Sequence, residues 1–316
     1  MAIMKATQEQ LIRERLQQDP GNAWLIKELG DIYLDRNDYQ AAQDQYQMVL
    51  HNSSGEMFPE ILIKYENKLK EDYSNIPLLF NLSRFLLSGN EIHEAIDELE
   101  LILELEPGNR EAYIRLSKIY MNIDNKEMVV ATLERASACL GEDLTVMEML
   151  AIAYLQQNML SNATVLYQEI YRKQPENIKT IKTLAELYKK NGWPQQAAEQ
   201  YLVSSNYDNH CLDSADQFVR GLIEEYPDNL CLYEIHGEIL LRWFKPEEAI
   251  DLYKYILSRF PDTLEFVIKK YKKVLDLYPD YPAANNALAE ANILRQSFSE
   301  AVLLYSRILE LNPDSI

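Results

Sequence analysis

The chain has 316 residues, 47% of them apolar, and carries 31 Lys+Arg against 50 Asp+Glu, a formal net charge of −19. So acidic a surface repels phosphate backbones and anionic membranes, which argues against nucleic acid as a partner, and no stretch approaches roughly 18 consecutive apolar residues, so no membrane insertion is expected. Nine glycines leave little turn chemistry for an all-β fold or a Gly-rich nucleotide site. The three cysteines (Cys139, Cys211, Cys231) are scattered and odd in number, so the expectation is a cytoplasmic protein without a disulfide framework.

In chain order, residues 1–22 read as an N-terminal capping helix, polar after its first few residues and without the apolar core of a signal peptide. A helix pair starts at 23, with Leu29, Gly30, Tyr33, Ala42 and Tyr46 at its key places. A lone helix is predicted over 59–75. A second pair starts at 76 with Leu82, Ser83, Ala95, Leu99 and Pro107. Residues 110–209 hold three contiguous pairs, starting at 110, 144 and 178. They carry Leu116, Ser117, Tyr120 and Leu133, then Leu150, Ala151, Tyr154, Ala163 and Tyr167, then Leu184, Ala185, Tyr188, Ala197 and Tyr201. The polar stretch 204–215 marks a boundary. Residues 210–316 hold a lone helix at 213–229 and a pair from 230 with Gly237, Ala249, Tyr253 and Pro261. A further lone helix at 265–281 and a pair from 282 with Leu288, Ala289, Ala301, Tyr305 and Pro313 complete the chain.

The shared register has a simple physical content. A small residue at one place on each first helix (helix A), and an alanine at one place on most second helices (helix B), let the axes approach to ~8–10 Å. Tyrosine and leucine fill the gaps between pairs, and no pair can bury its face alone. This spacing resembles the tetratricopeptide repeat pattern W-x2-L-G-x2-Y…A-x3-F…P. The resemblance covers about three quarters of the chain. It implies an all-α, right-handed α-solenoid of seven helix pairs with three extra single helices and an N-terminal helix. A single extra helix cannot preserve simple antiparallel alternation, so the superhelix is expected to be interrupted near 52–62, 204–215 and 262–268.

Chemistry-bearing motifs are absent. There is no Walker or Rossmann loop, HExxH, CxxC or GxSxG. His210, Cys211 and Asp213 form the one local cluster of metal-binding types, and it reads as an ordinary polar loop. The expectation is no catalytic residue, no metal and no cofactor. The carboxylate-rich segment 91–111 and the lysine-rich segment 267–279 read as solvated helix faces, with docking of a charged partner as the rival reading of each.

The resemblance implies a protein–protein interaction scaffold or adaptor that holds a partner segment in a concave groove lined by the A helices. The register places Phe80, Arg84, Arg115, Lys118, Glu148, Lys179, Lys182, Glu186 and Lys189 on that wall. Its middle is basic within an acidic chain, which suits an acidic partner segment. Chaperone co-factors of the family clamp a carboxylate with Lys and Asn on the first A helix, Asn on the second, and Lys with Arg on the third. The unit at 76 offers Phe80 and Arg84, and the following ones Arg115 and then Glu148 with Met149, so that clamp is missing. Two rival functions stay open: a regulatory or substrate-recruiting portion of a larger enzyme, glycosyltransferase-like, and helical-repeat RNA binding, which the net charge opposes. The last pair leaves Val302, Leu303 and Ile308 partly uncovered, an end open to self-association or to further chain.

Overall fold

The computed structural model describes the backbone of residues 2–311 and the side chains of 8–310; Pro313 lies outside the described residues. Among these there are eighteen α-helices and no strand. They form two compact units, Met1–Asn158 and Met159–Ile316. The first contains α1 (Ala2–Gln18), α2 (Ala23–Asp35), α3 (Tyr39–Asn52), α4 (Phe58–Leu69), α5 (Ile76–Ser88), α6 (Ile92–Leu105), α7 (Arg110–Asn122), α8 (Lys126–Leu140) and α9 (Leu144–Gln156). The second contains α10 (Leu160–Lys173), α11 (Ile178–Lys190), α12 (Pro194–Ser204), α13 (Cys211–Glu225), α14 (Leu230–Arg242), α15 (Pro246–Arg259), α16 (Leu264–Leu277), α17 (Pro282–Leu294) and α18 (Phe298–Leu311). Within the units the pairs are α2/α3, α5/α6, α7/α8, α11/α12, α14/α15 and α17/α18, while α9 and α10 are the helices predicted for the repeat that starts at 144. The lone helices are α4, α13 and α16.

Each helix boundary has a local cause. The asparagine of the proline corners opens the next A helix. Asn22, Asn109 and Asn177 accept from the backbone N–H of Leu25, Ala112 and Thr180 at 3.1–3.2 Å, satisfying one of the free donors of the first turn. The A helices end in a left-handed residue. Asn37, Asn90, Asp124, Asn158, Gly192, Phe244 and Gln296 all have φ between +54° and +75°. The next N–H then reaches back to a carbonyl of the last turn, as from Asp38 to Tyr33 and from Lys245 to Leu240, both at 2.9 Å.

Small residues sit at the A/B crossings. A methyl group on Gly30 would lie 2.6 Å from Cε1 of Tyr46, and one on Gly237 would lie 2.7 Å from Cε1 of Tyr253. Both tyrosines are fully buried, so glycine is what lets each ring lie flat against the A-helix backbone. The other pairs solve the same contact differently. Ser83 and Ser117 face the shorter Leu99 and Leu133.

A lone helix changes which ends meet. In a plain repeat the A helix ends beside the preceding A–B turn. Gln157, after α9, donates to the Lys126 carbonyl at the start of α8 (2.6 Å), and Asn191, after α11, donates to Thr164 near the start of α10 (2.9 Å). After the lone helix α13, the A helix α14 ends instead beside the loop that follows α12. Arg242 Nη1 donates to Ser205 Oγ (3.1 Å) and Asn206 Oδ1 (2.6 Å). One inserted helix reverses the direction of the next pair, as antiparallel packing requires.

A buried polar pair ties α13 to α14. His236 Nε2 lies 2.7 Å from Asp216 Oδ1, and Arg220 Nε donates to the other Asp216 oxygen at 2.7 Å. The carboxylate is an acceptor, so Nε2 carries the imidazole proton. Burial depresses the His236 pKa against the opposing pull of Asp216, with Arg220 lowering it and Glu248 raising it further. The unfolded histidine takes a proton near its ordinary pKa of about 6.5, while folded His236 resists until lower pH. Stability is therefore expected to fall as pH drops through about 6.5 towards the folded-state value. His236→Gln, which keeps a donor to Asp216, is expected to flatten this dependence. Urea midpoints at about pH 7.5 and 5.5 for both chains measure it.

Candidate functional site

The A helices carry the predicted wall, and each unit is described separately. In the first unit, α5 presents Phe80 and Arg84, and α7 presents Arg115 and Lys118. The Arg115 guanidinium lies over the Phe80 ring, 4.7 Å from its centroid, and its Nε pairs with Glu111 at 2.7 Å. Arg84 donates to Gln40 on α3 at 2.9 Å. Lys118 and Glu148 are exposed on α7 and α9. Phe80 and Arg115 are thus brought together, whereas Arg84 is turned to its own neighbour.

In the second unit, α11 presents Lys179, Lys182, Glu186 and Lys189. Lys182 Nζ lies 5.7 Å from the centroid of Tyr201 on α12, and Lys189 Nζ lies 5.9 Å from that of Phe218 on α13. The two rings are themselves stacked, with centroids 4.4 Å apart. A cation over a ring face gains ~0.5–1 kcal/mol at a partly exposed site. Lys189 also pairs with Glu225 at 2.7 Å, so part of its charge is spent inside the chain. Lys179 and Glu186 are exposed. The tyrosine of a B helix and the phenylalanine of a lone helix therefore turn the basic strip into a cationic-aromatic wall. Sequence reasoning placed the lysines and missed the rings, because Phe218 reaches the wall only through the packing of α13.

Among the described residues no group of three or more metal-ligating side chains converges, and no helix is long and apolar enough to cross a membrane. On the carboxylate-rich α6, Glu98 is half-buried and burial raises its pKa; Glu94, Asp97 and Glu104 are exposed. Val302 and Leu303 on α18 are 64% and 73% exposed.

Residues 268–316 match the family model for the tetratricopeptide repeat. That segment is a tetratricopeptide repeat. No curated protein matches it. Among solved structures it is similar to MamA at 20% identity, covering 52% of this chain and 95% of that one, with a TM-score of 0.40. It is similar to YrrB, described as a tetratricopeptide repeat protein with an unusual peptide-binding site, at 12% identity over 79% and 93% of the two chains and a TM-score of 0.38. A tetratricopeptide repeat protein from Parabacteroides merdae ATCC 43184 is 17% identical over 86% and 91%, with a TM-score of 0.35. The three lone helices are additions to the recurring helix pair, and the features that sequence reasoning missed, Phe218 above and the Arg242–Phe244 turn below, lie on or beside one of them.

Proposed function

We propose that this repeat protein is a non-catalytic, cytoplasmic binding scaffold that holds a segment of a partner protein along its A-helix walls, with a preference for acidic segments. The observation that carries the reading is the α11 wall. There Lys182 and Lys189 stand over the stacked rings of Tyr201 and Phe218, with Lys179 exposed on the same helix. Fixed cations beside fixed aromatic rings suit carboxylates interleaved with apolar side chains. Because the helices hold these groups in place before binding, little ordering cost falls on the scaffold. In the first unit, Phe80, Arg84, Arg115, Lys118 and Glu148 are proposed as partner contacts, with Arg115 over Phe80 as the comparable pair. Three free thiols, Cys139 among them exposed, suit a reducing compartment.

The test is comparative capture from one lysate on immobilised wild-type chain and on a Lys179→Glu/Lys182→Glu variant. At least one protein retained by the wild type is expected to fall about tenfold on the variant, the effect of losing a charge-assisted contact or two. Far-UV circular dichroism should be unchanged. Identical capture profiles would remove the α11 wall from the binding surface.

A further inference from the structure

The reversal imposed by α13 builds a cleft that the plain repeats do not make in this way. The end of α14 and the loop after α12 enclose about 510 Å³ lined by Ser205, Asn206, His210, Arg242, Trp243 and Phe244. A comparable meeting of ends occurs at α4, where the 53–57 loop and the end of α5 border a cavity of about 480 Å³. Its one aromatic lining residue, Phe58, is stacked on Phe85 at 4.7 Å, and small groups (Ser54, Gly55, Ser88) supply much of the rest of its lining. The α13 cleft is furnished with a guanidinium, an imidazole and two large aromatic rings.

Phe244 is the anomaly. It occupies the left-handed turn position that the other pairs fill with Asn37, Asn90, Asp124, Asn158, Gly192 and Gln296. Asparagine, aspartate and glycine tolerate that conformation, and a bulky aromatic residue there is strained. Its ring is 82% exposed, so packing within the chain does not compensate. Strain retained without internal compensation points to a use outside the fold. Phe244 and Arg242 also line a second cavity of about 300 Å³, on the side of Leu241, Lys273, Leu277 and Tyr278. Phe244 is thus a ridge between two hollows.

The local charge is positive in a chain of net charge −19. The groups that hydrogen-bond Arg242, Ser205 and Asn206, are neutral, and the carboxylate that acts on it electrostatically, Glu238, makes no direct bond to it, so the guanidinium can still pair with an outside anion. Lys245 Nζ sits 3.6 Å from the centroid of the Trp243 ring and is itself paired with Glu248 at 3.1 Å, which leaves Arg242 as the cation of the cleft. Glu238, the carboxylate of the second hollow, is held by Lys273 and lies 3.7 Å from Lys270.

We propose that this ridge is a docking site for an extended peptide segment of a partner protein in which an aromatic or large aliphatic side chain lies next to a carboxylate. The carboxylate pairs with Arg242, and the apolar side chain packs against Phe244 and Trp243. Two hollows divided by an exposed ring suit a chain that crosses the ridge, whereas a compact small molecule is normally enclosed on most sides. None of the α11 wall residues lines the cleft, so this site stands apart from the groove proposed above.

The test uses fluorescence anisotropy at low salt with three labelled hexapeptides of equal length, containing Asp-Phe, Asn-Phe or Asp-Ser at their centre. The wild-type chain is expected to bind the Asp-Phe probe about tenfold more tightly than either control, the difference expected of one charge-assisted contact or one buried ring. Arg242→Gln should remove the preference for Asp-Phe over Asn-Phe and leave that over Asp-Ser. Phe244→Asn, which installs the residue of the other turns, should weaken binding about tenfold while raising Tm by about 2 °C. The Lys179→Glu/Lys182→Glu variant should bind the probe as the wild type does. Equal affinity for the three probes, no binding up to about 1 mM, wild-type binding by Phe244→Asn, or a lowered Tm for that variant each overturns the proposal. Loss of the probe in the lysine variant would assign it to the α11 wall and overturn the cleft.

Discussion

Gly237→Val is expected to destabilise the second unit by about 3 kcal/mol, the upper range for forcing extra atoms into a packed crossing. A Cβ at Gly237 already falls 2.7 Å from Tyr253 Cε1, and Tyr253 is fully buried. Its ring abuts Tyr271 of α16 edge-on, with centroids 6.0 Å apart, so it has little room to swing away. Replacing glycine in a helix interior by alanine normally gains about 1 kcal/mol of helix propensity. The crossing is therefore expected to reverse the usual sign even for Gly237→Ala. Other repeats show the rescue: Ser83 and Ser117 are matched by Leu99 and Leu133. Tyr253→Leu in the Gly237→Val background is expected to recover part of the loss, although the same change alone destabilises. Urea unfolding followed at 222 nm for the two single variants and the double measures this. A Gly237→Val midpoint equal to wild type would mean that the ring does not rest on the helix backbone.

Asn81→Leu should cost about 2–4 kcal/mol in the first unit, from leaving two buried polar groups without their partner at ~1–3 kcal/mol each. Asn81 is 5% exposed and joins three helices. Its Nδ2 donates to the Tyr39 carbonyl at 2.7 Å, and its Oδ1 accepts from the Tyr65 hydroxyl. Burial pushes the pKa of Tyr65 far above the ordinary phenol range, so the hydroxyl remains a donor wherever the chain is folded. Leucine keeps the volume and removes both contacts, which loosens α4 from the pair it is inserted between. Tyr65→Phe in the same chain removes one stranded group. The double variant is expected to be less destabilised than the sum of the singles by about 1 kcal/mol or more. Strict additivity would show that the Asn81–Tyr65 bond contributes nothing.

These contacts mark how far the amino-acid order could be read. The seven helix pairs were legible because one crossing recurs at a constant spacing. The lone helices were legible because three intervals between pairs are too long by one helix and its turn. The prolines stood out as repeat positions, but the asparagine two residues later, as Asn109 and Asn177 show, is a start signal for the next A helix. The lysines of α11 followed from register. Their pairing with Tyr201 and Phe218 did not, because α13 breaks the repeat from which the register was built.

Local periodicity and turn chemistry were enough to specify helix number, pairing partners and the small residues at the crossings, since each depends on neighbours a fixed distance along the chain. Which helix ends face one another after an inserted helix, which cations lie on rings, and that Phe244 stands exposed between two hollows were decided by tertiary packing. Those contacts join segments tens of residues apart, and no fixed spacing along the chain encodes them.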